Sequence, residues 1–73
     1  VLVVEDDRLI AAGIAKRLRV LGYAVVGQAS SGDEGVSAAR ALRPDLVLMD
    51  IHLGRGIDGV EAARRLREEL DVP

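Results

Sequence analysis

Hydrophobic and polar positions follow two different periods along this chain, and the switches between them divide it into six elements. Val1–Val4 is an unbroken apolar run, the pattern of a strand covered on both faces of a parallel sheet. From about Asp7 the period becomes helical. Ile10, Ile14, Leu18 and Leu21 form one stripe, Ala11 and Ala15 lie beside it, and Lys16, Arg17 and Arg19 face away. Gly22 predicts the end of that helix. Tyr23–Ala29 predicts a second strand, less apolar and holding Gly27 and Gln28, which suits a sheet edge. Ser31 followed by Glu34 has the spacing of a capping box, and Val36, Ala39 and Leu42 give the second helix its inner face as far as Pro44. Asp45–Met49 predicts a third strand through "LVLM". After the loop "IHLGRGI", Asp58 and Glu61 open a third helix that Val60, Ala63, Leu66 and Leu70 carry inward. Arg64, Arg65, Arg67, Glu68 and Glu69 make its solvated face.

The order β-α-β-α-β-α predicts an α/β domain with a parallel sheet and right-handed crossovers. In such sheets ligands bind beyond the carboxyl ends of the strands. Glu5, Asp6 and Asp7 stand just past the first strand, and Asp50 stands just past the third. If those strands are neighbours, the acids of both meet at one edge of the sheet. No Gly-x-Gly-x-x-Gly follows the first strand, which removes the main support for a dinucleotide site.

Composition narrows the picture further. Seventy-three residues make one small domain, of a size that buries only about 60% of its unfolded surface. With 49% hydrophobic and 30% charged residues it has a globular composition. A net charge of −2 without a basic cluster argues against direct nucleic-acid contact by this segment. The absence of cysteine excludes disulfides and thiolate metal sites, and agrees with a cytoplasmic setting. No apolar stretch approaches the roughly 18 residues of a membrane span, and no signal-peptide pattern appears. The chain opens inside a strand-like run and Pro73 follows directly on a helix, so the expectation is a part of a longer protein.

Converging carboxylates raise one another's proton affinity unless a cation joins them. Mg²⁺ is suited to that role: it takes oxygen ligands, keeps several waters, and is commonly held by one or two carboxylates plus phosphate oxygens. Such a pocket anticipates a phosphoryl group, and one carboxylate would serve as nucleophile. Asp7 by itself reads as a helix cap, but capping does not account for Glu5 and Asp6 together with Asp50.

"VLVVEDD", "LGY" after the first helix, "SSGDEG" into the second, "PDLVLMD" and "DG" opening the third together resemble the receiver domain of two-component response regulators. The resemblance covers the whole chain and implies a flavodoxin-like three-layer parallel sheet. Its order is 2-1-3 here, within 2-1-3-4-5 of the complete domain, so that residues 1–73 form a partial receiver domain. It implies that Asp50 is the phosphoacceptor and that Asp6 binds Mg²⁺ directly. It further implies that Glu5 binds Mg²⁺ through water and that the His52 backbone carbonyl completes the metal site, while the His52 imidazole stays in solvent. The partners it implies are a sensor histidine kinase or phosphotransfer protein and an output domain outside this segment. Homodimerisation is left open, no membrane is involved, and the module is not an enzyme.

Three departures from the family pattern stand out. Glu5 replaces a frequent aspartate, Gly54 stands where a proline is usual, and the loop to Asp58 is one residue longer. Arg55 in that loop reads as exposed. The Ser or Thr after the fourth strand and the Lys after the fifth, which receivers use to bind the phosphoryl group, lie beyond these three units. The alternative function is therefore a receiver-like protein-binding module that is not phosphorylated. A metal-dependent phosphotransferase of another α/β family ranks third, because its usual second acid, two residues past the nucleophile, is here His52.

Overall fold

The computed structural model describes residues 1–54 and 56–73; Arg55, and the expectation made for it, lie outside the described residues. The elements are β1 (Leu2–Val4), α1 (Arg8–Val20), β2 (Gly27–Ala29), α2 (Gly32–Leu42), β3 (Val47–Met49) and α3 (Gly59–Leu70). All three strands are parallel in the order β2-β1-β3, and Val4 lies level with Ala29 on one side and Met49 on the other. This is the expected three-layer arrangement.

The strands are shorter than their apolar runs, β2 most of all. β1 offers ladder partners only to Gly27–Ala29. Val26 still donates its N–H to the Val1 carbonyl at 3.0 Å, and the Val1 amine donates to the Ala24 carbonyl at 2.7 Å. Tyr23–Val26 therefore follows the sheet as a tether, with Tyr23 and Val26 exposed.

Strand alternation sends Leu2 and Val4 to one face of β1 and Val3 to the other. Leu2 and Val4 join Ala29, Val36, Ala39, Leu53, Ala62 and Leu66 in the main core, beneath α2 and α3. Val3 is buried on the α1 side, where Ala11 and Ala15 are also buried. Small residues, not the large ones, thus carry the inner face of α1: Ile10 is 52% and Leu21 64% exposed, while Ile14 and Leu18 are half-buried. On α3 the buried line is Gly59, Ala62 and Leu66, whereas Val60 and Ala63 face solvent. The reason lies at Gly59, where a Cβ would collide with the Asp50 carbonyl. That close approach turns α3 so that the glycine, and with it residues three and seven positions on, faces the sheet.

The helix starts follow the sequence in part. Asp7 Oδ1 accepts the N–H groups of Leu9 (2.9 Å) and Ile10 (3.2 Å). Ser31 Oγ accepts the Glu34 N–H at 3.1 Å, and the Glu34 carboxylate reaches back to the N–H and hydroxyl of Ser30. At α3 only half of the box forms. Asp58 Oδ1 accepts the Glu61 N–H at 2.9 Å, but the Glu61 carboxylate turns away to Arg64 at 2.6 Å and Arg65 at 3.3 Å. Arg40 donates from Nε and Nη2 to Glu69 Oε2, tying α2 to α3. The outer edge of β3 is engaged at its start, where the Val47 N–H donates to the Pro73 carbonyl at 3.0 Å. Among the described residues no helix is long and apolar enough to cross a membrane.

Leu66 is 2% exposed, so Leu66→Ala should destabilise the protein by about 2–5 kcal/mol in urea denaturation, through lost burial and the cavity left behind. Glu61 gives a pH test. Hydrogen bonds from Arg64, then Arg65, lower its pKa from 4.5 to about 2. A depressed carboxylate stabilises the fold fully above its unfolded value, and that contribution is lost as pH falls from 4.5 toward 2. Denaturation across that window should show a shallower acid loss in Glu61→Gln than in the parent.

Candidate metal and phosphoryl site

The site grows out of the sheet register. β1 and β3 end level, and one further hydrogen bond, from the Asp50 N–H to the Val4 carbonyl at 3.0 Å, carries the pairing to the first residue past β3. On the other side the Glu5 N–H donates to the Ala29 carbonyl at 3.0 Å. Glu5 and Asp50 therefore leave the sheet side by side. One carboxylate oxygen from each of Glu5, Asp6 and Asp50 lies within 4.8 Å of the others. Of the four acids flagged in the sequence, three gather. Asp7 instead caps α1.

Each member is held by a different device. Asp50 Oδ1 accepts the N–H of His52 at 3.1 Å, a local turn that fixes one carboxylate oxygen against its own loop. Gly59 packs beneath the Asp50 carbonyl and allows α3 to start directly behind the acid. A Cβ on Gly54 would stand 3.2 Å from Asp6 Oδ2, so the start of the β3–α3 loop passes close over that carboxylate. His52 enters this structure through its backbone, and its side chain is exposed. Arg8 borders a cleft of about 240 Å³ beside the acids, together with Glu5, Ser30 and Glu34.

Partial loss of hydration, then a hydrogen bond with Asp50 and the charges of Asp50 and Asp6, hold the Glu5 carboxyl above its ordinary value of 4.5. Three acids, partly or well exposed and without a nitrogen or sulfur ligand, form a hard all-oxygen set. That donor chemistry fits Mg²⁺, and the exposure of the acids leaves room for water ligands. Sequence reasoning found all three acids. It missed Gly59 as the residue that lets α3 back Asp50, and Arg8 as a neighbour. The "DG" motif marked Gly59 as opening α3, but its close approach to the Asp50 carbonyl is a tertiary contact that local pattern does not show.

The sequence profile of the response regulator receiver domain matches residues 1–73. Response regulator GacA of Pseudomonas viridiflava is 51% identical over 74 residues, covering 99% of this chain and 34% of that protein. The chain thus spans about a third of the length of the curated relatives it matches. The crystal structure of the signal receiver domain of a modulated diguanylate cyclase from Desulfovibrio desulfuricans is similar at a TM-score of 0.91 and 47% identity. That match covers 99% of this chain and 58% of that one. PhyR of Bartonella quintana, solved in complex with the anti-sigma factor NepR, is similar at a TM-score of 0.88 and 32% identity, over 99% of this chain and 30% of that one. The flavodoxin-like receiver fold is common to these neighbours.

A carboxyl whose pKa is raised in the fold adds stability below its unfolded value and loses it as pH rises through the folded one. Glu5 should therefore work against Glu61 in sign. Replacing Asp50 with Asn removes the neighbouring charge, and a carbon-detected NMR titration of the Glu5 carboxyl should show its midpoint falling toward 4.5.

Proposed function

The chain belongs to the response regulator receiver family, and from that premise we propose that it is the phosphoacceptor module of a two-component system. The observation that carries the proposal is the convergence of Glu5, Asp6 and Asp50 within 4.8 Å at the carboxyl end of the sheet. Asp50 is the acceptor; Asp6 and Asp50 would hold Mg²⁺ directly with the His52 carbonyl, and Glu5 would hold it through water. Receivers are signalling modules and generally not enzymes, and the module takes phosphoryl stoichiometrically. The donor is a phosphohistidine on a sensor kinase or phosphotransfer protein, which puts the reaction in the cytoplasm.

In the transfer, a carboxylate oxygen of Asp50 attacks phosphorus. The O–P bond forms as the P–N bond breaks, and the donor imidazole leaves with the electron pair. The His52 N–H on Oδ1 orients the Asp50 carboxylate so that the opposite oxygen is presented. Bound Mg²⁺ would neutralise the gathered acids and offset charge on the phosphoryl oxygens. Gly54, lacking a side chain, leaves the approach over Asp6 open to the incoming group.

The product carries a charge of about −2 where Asp50 carried one, with new acceptor oxygens beside the β3–α3 loop. That change biases a surface read by an output domain or a partner. The matched relatives extend well past this segment, which supports a separate output domain, and the PhyR–NepR complex supports readout by protein contact.

The test is the full protein with acetyl phosphate and Mg²⁺. One phosphoryl mass increment is expected in the parent and none in Asp50→Asn. A parent that gains nothing, or a variant that gains as much, overturns the acceptor role and favours an unphosphorylated binding module.

A further inference from the structure

The β3–α3 loop approaches Asp6 at Gly54, and its glycines at 54 and 56 are a composition that leaves backbone freedom to be lost on ordering. It is nevertheless anchored at both ends. On the β3 side the Gly59 N–H donates to the Ile51 carbonyl at 3.0 Å and His52 donates to Asp50. On the far side the anchor is α2. The Ile57 N–H donates to Asp33 Oδ2 at 3.4 Å. Gly56, at φ +70°, passes so close to the Asp33 carboxylate that a Cβ would overlap it. A Cβ on Gly32 would come within 2.6 Å of the Ile57 carbonyl oxygen and 2.8 Å of its Cγ1, so α2 and the loop meet with no space between. Asp33 and Asp6 face each other across a cleft of about 530 Å³ that Gly54 and Gly56 also line.

We infer that Asp33 is a positioning residue for the Glu5–Asp6–Asp50 site: by accepting the Ile57 N–H it sets the height of the β3–α3 loop over the acids. It thereby raises cation affinity without touching the cation. The inference rests on the reading of that cluster as a Mg²⁺ site. The physical reason is preorganisation. The loop holds Gly54 against Asp6 and the His52 backbone beside Asp50. A loop already tethered at Ile57 loses less freedom when the cation binds. Asp33 also stands in the first turn of α2, where its charge favours the helix dipole, but that role does not require a carboxylate turned toward Ile57.

Calorimetric Mg²⁺ titration and the Mg²⁺ dependence of labelling by acetyl phosphate, both on the full protein, test this. In Asp33→Ala the half-saturating Mg²⁺ concentration should rise by roughly two- to tenfold, the worth of one hydrogen bond. Asp33→Asn keeps an oxygen acceptor without the charge and should restore the parent value. Asp33→Ser, a good residue for the first turn whose hydroxyl is too short to span the gap, should match Asp33→Ala and guards against a folding failure. An unaltered Mg²⁺ dependence in Asp33→Ala overturns the inference, as does an Asp33→Asn as weak as Asp33→Ala, which would assign the effect to charge alone. A parent that binds no Mg²⁺ overturns the site reading itself, a separate result.

Discussion

Parallel pairing of β1 with β3 brings together acids that would otherwise repel one another apart. The hydrogen bond from Asp50 to the Val4 carbonyl extends that pairing past the regular strand and sets Glu5 and Asp50 side by side. The cooperative burial of Leu2, Val4 and Leu66 holds the register, because a slip of one residue would turn the Leu2–Val4 face out of the core. Apolar burial therefore supplies the energy that keeps like charges close. The Glu5 carboxyl is held above its ordinary value first by lost hydration, then by its hydrogen bond with Asp50 and the charges of Asp50 and Asp6. Under the proposed function a divalent cation would offset those charges.

Close approach at two glycines shapes the frame of the site. Gly35 lies against Val4, where a Cβ would stand 2.8 Å from Cγ2, and Gly59 lies against Asp50. Both contacts bring a helix down onto the strands that carry the acids. The frame below the carboxylates is thus built of close packing, and the layer above them is a glycine-containing loop tied at its ends.

Much of this was legible in residue order. The alternation of apolar runs with helical stripes identifies an α/β parallel sheet, and the positions of Glu5, Asp6 and Asp50 at strand ends identify where chemistry belongs. Ser31 and Asp58 mark helix starts because capping depends on groups within one turn. Where pattern misled, long-range contacts had decided between local options. On α1, Ala11 and Ala15 are buried while Ile14 and Leu18 of the expected stripe are half-buried and Ile10 and Leu21 exposed. On α3, Leu66 and Leu70 face the core as expected, but Gly59 and Ala62 take the inward places of Val60 and Ala63. At α3 the close approach of Gly59 to Asp50 set which residues turn inward, a contact that hydropathy does not register. At α3 the Glu61 carboxylate had two partners within its own helix, and it left the cap for the arginines.

The residues alone determined the order of elements and their parallel arrangement, because both follow from local periodicity and from the alternation of strands with helices, whereas the meeting of the acids at one end of the sheet was expected from the resemblance. Only the tertiary structure decided that β2 shrinks to Gly27–Ala29 and that Asp33 reaches across to Ile57. Those outcomes depend on contacts between segments far apart in the chain or on competition between partners of similar strength. Neither is written in the spacing of residues along one element.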